Sequence, residues 1–130
     1  MIRGGADQSL ILAGLLLATA TALGAFGTHA LKPILPQARF DSFEIAVTYQ
    51  FFHALGLLGI GLLQRQHPTS ALLIWTARLL LFGMVVFCGS IYAITFGASR
   101  SLGMIAPIGG ISLISAWIVF VVAIIKLGKR

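Results

Sequence analysis

Apolar positions in this chain come in long unbroken runs separated by short polar patches, with no alternation of period two. Intervals free of Asp, Glu, Lys and Arg enclose 24 residues between Asp7 and Lys32 and 20 between Glu44 and Arg65. Two more enclose 21 residues between Arg78 and Arg100 and 25 between Arg100 and Lys126. A charge at the bilayer centre costs roughly 2.5–3.5 kcal/mol on insertion scales, so such intervals are where a chain can cross a membrane. About 20 residues at 1.5 Å rise span a hydrocarbon core of about 30 Å. The pattern therefore predicts four transmembrane helices, at about 9–30, 44–63, 78–97 and 105–125, within a single domain over 1–130. Membrane strands would alternate lipid-facing and inward residues, so the expected fold class is an all-α polytopic bundle.

The polar patches fit as connections. Pro33 and Pro36 separate the first two spans, and Pro36 is placed to open a helix. From Pro36 to Glu44, Phe40 and Phe43 alternate with Gln37, Arg39, Asp41 and Ser42, an amphipathic pattern suited to an interface. Gln64 to Ser70 forms the second connection, and Gly97 to Gly103 the third. Thr69 to Arg78 is apolar enough to continue helical into the third span, which puts Trp75 at headgroup depth. With four spans, Arg3, Arg65, Arg78, Lys126, Lys129 and Arg130 share one side against Lys32, Arg39 and Arg100 on the other. The positive-inside rule then puts both termini in the cytoplasm. A cleaved signal peptide is the competing reading of Arg3, the apolar run from Leu10 and the small residues Ala18 to Ala22. Asp7 in the would-be basic region and an apolar run that continues to Phe26 argue against it.

Composition agrees. The chain has 130 residues, 58% hydrophobic and 9% charged, where a soluble domain carries about 25% charged residues. A soluble enzyme and a disordered tail are excluded. The net charge of +6 is dispersed between apolar runs rather than gathered into a patch, so no nucleic-acid partner is expected. Cys88, the only cysteine, lies inside an apolar run; no internal disulfide or cysteine metal cluster is available, and it reads as a buried apolar residue.

Small residues mark where helices approach closely in lipid. The first span holds Gly14, Ala18 and Ala22 at four-residue spacing, together with Ala13, Ala20, Gly24 and Gly27. Gly56, Gly59 and Gly61 follow in the second, Gly83 and Gly89 in the third, and Gly109, Gly110 and Ser112 in the fourth. Polar residues inside spans need partners. Tyr49, Gln50 and His53 are related by three- and four-residue steps, so one face of the second helix is expected to present them to the bundle interior. Ser90 and Tyr92 on the third helix and the Gly109-Gly110 pair after Pro107 are expected to close that site. In the cytoplasmic-termini topology all of these fall in the outer leaflet. Helix rise places His53 roughly 13 Å below Glu44, near the midplane, and His29 about 4–5 Å from Lys32, at the interface. His53 reads first as a neutral, hydrogen-bonded packing residue. Glu44 is expected either to cap the second helix near its start or to reach His29.

Five ordered segments then carry a resemblance: GAFGTHALK (Gly24 to Lys32), YQFFHALGLL (Tyr49 to Leu58), GSIY (Gly89 to Tyr92), APIGG (Ala106 to Gly110) and Trp117. Together they resemble the bacterial inner-membrane family called "domain of unknown function 423", the YgdD-like proteins, over essentially the whole chain. The resemblance implies a four-helix inner-membrane protein and brings no established activity, substrate or cofactor. Three functions stay open. A structural or accessory protein, as a homo-oligomer or with a membrane-complex partner, needs only tight packing and a fixed topology. A transporter or permeation pathway would use the outward polar cluster and the Gly109-Gly110 break, and four helices would need oligomers to enclose a pore. A redox subunit would hold a quinone at His53, Gln50 or Tyr92; haem is disfavoured because His29 and His53 differ in depth by about 8–9 Å. Binding of a lipid headgroup through Lys32 and Arg39 is a fourth, minor reading. No acid–base pair, nucleophile motif or metal-ligand cluster stands in the sequence, so neither catalysis, cofactor nor metal is expected.

Overall fold

The computed structural model describes residues 4–129. Helix α1 (Gly4–Phe26) runs without a break into a π-helical segment, Gly27–Leu31. It is followed by α2 (Gln37–Gln66), α3 (Ala71–Thr95), a 3₁₀ turn at Arg100–Met104, and α4 (Ala106–Gly128). No strand occurs among the described residues. Among the described residues four helices are long and apolar enough to cross a membrane. Arg3 and Arg130, which enter the charge count above, lie outside the described residues.

Local chemistry sets the helix ends. The Pro36 carbonyl accepts the amides of Arg39 (3.0 Å) and Phe40 (3.1 Å), at a position where proline's missing N–H costs nothing. The amphipathic segment ahead of Glu44 is therefore the first two turns of α2. Ser70 caps α3 by accepting the Leu73 amide at 3.4 Å. Helix α3 thus takes in Trp75 and Arg78, whose guanidinium lies 5.4 Å from the Trp75 ring centre. Gly97, at φ +105°, turns the chain after α3, a conformation open to glycine at no steric cost.

The helices pack in chain order, α1 on α2, α2 on α3 and α3 on α4. Their interior mixes small and large side chains: Ala13, Ala20, Ala46, Ala54 and Ala116 are fully buried, and so are Phe43, Leu57, Leu73 and Leu80. Large apolar residues such as Leu15, Phe52, Val85 and Ile114 point outward, the arrangement expected where the solvent is hydrocarbon and backbone approach supplies the packing energy. The buried seam of α1 and its π-helical continuation is Ser9, Ala13, Ala20, Gly27 and Leu31, steps of four and seven residues of the kind found in left-handed helix pairs. Gly14, Ala18 and Ala22, the four-residue series, are exposed instead.

The closest backbone approach joins α3 and α4. A Cβ added to Gly83 would lie 2.9 Å from the Gly109 carbonyl oxygen, and one added to Gly109 would lie 2.9 Å from that of Gly83 and collide with the Phe87 amide. Gly110 has only the Phe87 ring, 4.0 Å away. Thermal unfolding in detergent should therefore separate the two: Gly109→Ala is destabilising by about 1–3 kcal/mol or more, the usual cost of overpacking, whereas Gly110→Ala is neutral. Equal effects would contradict this packing.

Candidate functional site

The buried polar centre of the bundle is the Gln50 carboxamide. Gln50 sits at the junction of α1, α2 and α3 and is 4% exposed. Its Nε2 donates to the Leu16 carbonyl (2.8 Å) and to Thr19 Oγ1 (2.8 Å) on α1. Its Oε1 accepts the Tyr92 hydroxyl of α3 at 2.7 Å. The amide orientation follows from chemistry, because the Leu16 carbonyl has no proton to give and must face the NH₂ group. Thr19 in turn donates to the Leu15 carbonyl at 3.0 Å. One side chain thus ties three helices together, with both N–H groups and its oxygen in use.

Aromatic rings stand above this knot, toward the α1–α2 connection. The Tyr92 ring lies 5.6 Å from Phe43, which lies 6.5 Å from both Phe40 and Phe96. Phe43 is fully buried because its ring occupies the space a Gly27 side chain would need. The π-helical turn is therefore where α1 passes over the Phe43 ring. Beside Gln50, Cys88 donates its thiol proton to the Ala46 carbonyl at 3.3 Å, so it is a buried packing residue. A shallow groove of about 230 Å³ between α1 and α3 has Leu16, Gln50, Met84 and Tyr92 in its lining.

The structure divides the residues that the sequence groups. Gln50 and Tyr92 meet. Tyr49 and His53 occupy the adjacent face of α2, with Tyr49 exposed and His53 half-buried. A helix turns 100° per residue, so a one-residue step from Tyr49 to Gln50 separates lipid-facing from interior positions. The two rings stack at 5.6 Å, with Phe87 4.8 Å from Tyr49 and Trp117 6.1 Å from His53. His53 Nδ1 is 2.7 Å from the Tyr49 carbonyl; a carbonyl only accepts, so this nitrogen carries the proton. Gly56 makes room for the Trp117 ring, which lies 2.6 Å from where its Cβ would be. Ser90 is buried and donates to the Phe87 carbonyl of its own helix at 2.9 Å. Gly109 and Gly110 pack on α3 at Gly83 and Phe87, away from Gln50, because their closeness to a neighbouring backbone serves the α3–α4 contact.

The interfacial candidates stay apart. His29 is an exposed residue of the π-helical segment, and Glu44 is exposed two turns into α2. The early start of α2 at Gln37 removes Glu44 from a capping position, and no hydrogen bond or ion pair joins it to His29. Among the described residues no group of three His, Cys, Asp or Glu is placed to hold a metal.

Three features escape the sequence reading. Gln64, assigned there to a connection, is buried in the last turn of α2 and donates to the Leu73 carbonyl of α3 at 3.2 Å. Its Oε1 is buried without a partner. Arg65 Nη2 donates to Asp7 Oδ1 at 2.7 Å, joining the start of α1 to the end of α2. Ser112 of α4 donates to the Leu79 carbonyl of α3 at 2.8 Å. Each is a side chain pairing with a group on a neighbouring helix, and single-chain periodicity does not encode the neighbour.

The contrast between the two glutamines is testable by unfolding in detergent. Gln50→Met leaves the Tyr92 hydroxyl and Thr19 without their partner and should destabilise by about 0.5–2 kcal/mol. Gln64→Met removes an orphaned buried oxygen and should be neutral or stabilising. The reverse order would show that the Gln50 bonds carry no net stability.

Comparison with known proteins places this architecture. A family model described as "Protein of unknown function (DUF423)" matches residues 23–110. A UPF0382 membrane protein of Staphylococcus epidermidis is 43% identical over 117 residues, covering 90% of this chain and 94% of the relative. The UPF0382 membrane protein YwdK of Bacillus subtilis is 33% identical, covering 90% of this chain and 95% of the relative. The UPF0382 inner membrane protein YgdD of Escherichia coli is 31% identical over 109 residues, 84% of this chain and 82% of the relative. No solved structure matches. With relatives named as membrane and inner membrane proteins and four membrane-crossing helices, this is a multi-pass protein of the cytoplasmic membrane, and the chain belongs to the DUF423 family.

Proposed function

We propose that the protein is a structural or accessory component of the cytoplasmic membrane that works as a homo-oligomer, with no catalytic activity of its own. The observation that carries this reading is the way its intramembrane polar groups are used. Gln50, Tyr92, Ser112 and Cys88 each bond across a helix interface of the same chain, so these four serve as helix-to-helix ties. Self-association is supported by α1, which leaves the Gly14, Ala18 and Ala22 ridge facing lipid. Small residues at four-residue spacing allow a second helix to approach closely, and a Gly14 side chain would meet nothing within 4 Å inside one chain.

Orientation belongs to the same proposal. Arg65, Arg78, Lys126 and Lys129 lie toward the end of the bundle that carries both termini, against Lys32, Arg39 and Arg100 at the other. That asymmetry favours cytoplasmic termini.

Native mass spectrometry of the full chain released from mild detergent tests the assembly. We expect a homo-oligomer of defined subunit number that Ala18→Leu reduces to monomers, with the helical content of each chain unchanged. A wild-type monomer, or an oligomer indifferent to Ala18→Leu and Gly14→Leu, would overturn the α1 interface. A C-terminal reporter active only in the cytoplasm checks the orientation; activity only of the periplasmic reporter would reverse it.

A further inference from the structure

A groove of about 410 Å³ runs between α2, α3 and the start of α4, at the end of the bundle away from the termini. Its long wall is apolar, made by Ile45 of α2 and Phe87, Ile91 and Ile94 of α3. From Thr95 to Phe87 it follows α3 for about 12 Å, the direction an acyl chain takes from the interface into the hydrocarbon. Arg39, Ser42 and Thr95 give its polar lining. Arg39 is half-buried, yet its guanidinium has no hydrogen bond or ion pair among the described residues. The acidic residues of α2 do not reach this groove: Asp41 and Glu44 line a neighbouring one with Thr48 and Tyr49, and Asp41 accepts from Gln37 at 2.6 Å. Lys32 is likewise elsewhere, 6.0 Å from the Phe40 ring centre.

We propose that this groove binds one anionic phospholipid, its phosphate on Arg39 and one acyl chain along Ile45, Phe87, Ile91 and Ile94. The charge complement is specific. A guanidinium presents a planar fork of donors that matches phosphate oxygens, and no carboxylate in the lining competes for it. The Ser42 and Thr95 hydroxyl protons are already given to the Ala38 carbonyl (3.0 Å) and the Ile91 carbonyl (2.9 Å). Their oxygens therefore offer lone pairs, which suit the hydroxyls of a glycerol headgroup rather than further phosphate oxygens. Phosphatidylglycerol presents both features, one anionic phosphate and free hydroxyls. The proposal is independent of self-association through α1, since the groove lies wholly within one chain.

The test is native mass spectrometry of the full-length protein equilibrated with an equimolar mixture of phosphatidylglycerol and phosphatidylethanolamine. We expect one phosphatidylglycerol retained per chain, with a preference of about fivefold, the size of a single basic residue's attraction to an anionic lipid. Arg39→Gln should bring the two lipids to parity, whereas Lys32→Gln should leave the preference intact. Ile91→Trp, which fills the groove, should lower retention of both. The Arg39 guanidinium makes no hydrogen bond or ion pair among the described residues, so Arg39→Gln is expected to keep its helical content and decides the question even if Ile91→Trp does not fold. Equal retention of the two lipids by the wild type would overturn the proposal. So would an unchanged preference in Arg39→Gln, or an equal loss in Lys32→Gln, which would reduce the effect to general surface charge.

Discussion

No water reaches the hydrocarbon layer, so a polar side chain there must find its partner on another helix or remain unsatisfied. Gln50 meets that constraint with three bonds to two neighbouring helices. Much of the arrangement follows from it. Tyr92 must face α2, which fixes the rotation of α3; Leu16 and Thr19 must face α2, which fixes that of α1. Helix α4 has its own tie, from Ser112 to the Leu79 carbonyl. Four helices whose outer surfaces are nearly uniform in apolarity are thereby given one rotational setting each.

Packing supplies the second constraint. Lipid tails are as apolar as leucine, so burying large side chains between helices gains little that lipid does not already offer. The close approaches occur where glycine or alanine removes bulk: Gly27 under Phe43, Gly56 under Trp117, and Gly83 against Gly109. The first two accommodate a ring from a partner helix, the third a partner backbone. Phe43 and Trp117 thus mark two different faces of α2, one toward α1 and the other toward α4.

The four helices were legible because the spacing of charges measures bilayer thickness directly, and no tertiary knowledge is needed for that. Helix starts lie outside those intervals, since α2 begins at Gln37 and α3 at Ala71, both ahead of the bounding charges, and Pro36 and the apolar stretch from Thr69 to Arg78 were the signals for them. Amphipathic turns at an interface carry charge without ceasing to be helical. Within the site, the sequence named Gln50 and Tyr92 but grouped them with Tyr49, His53 and the Gly109-Gly110 pair. Three- and four-residue steps define a stripe wide enough to include both the interior and the lipid-facing edge of a helix, and a one-residue difference decides between them. The seam of α1 shows the same limit: the sequence drew attention to Gly14, Ala18 and Ala22 by their four-residue spacing, with Ala13, Ala20 and Gly27 only beside them, and the neighbouring helix buries the latter three. The orphaned Gln64 oxygen and the Asp7–Arg65 pair depend on residues far apart in the chain and leave no local signal.

A double-mutant cycle between Gln50 and Tyr92 tests the central claim most directly, because it isolates their shared bond from the packing of either side chain. Reversible unfolding in detergent would be measured for Gln50→Met, Tyr92→Phe and the combined variant. A coupling energy of about 0.6–1.7 kcal/mol, the range found for hydrogen bonds between membrane helices, is the result this account predicts. Additive effects, with no coupling beyond measurement error, would contradict it and leave the bundle held by shape alone.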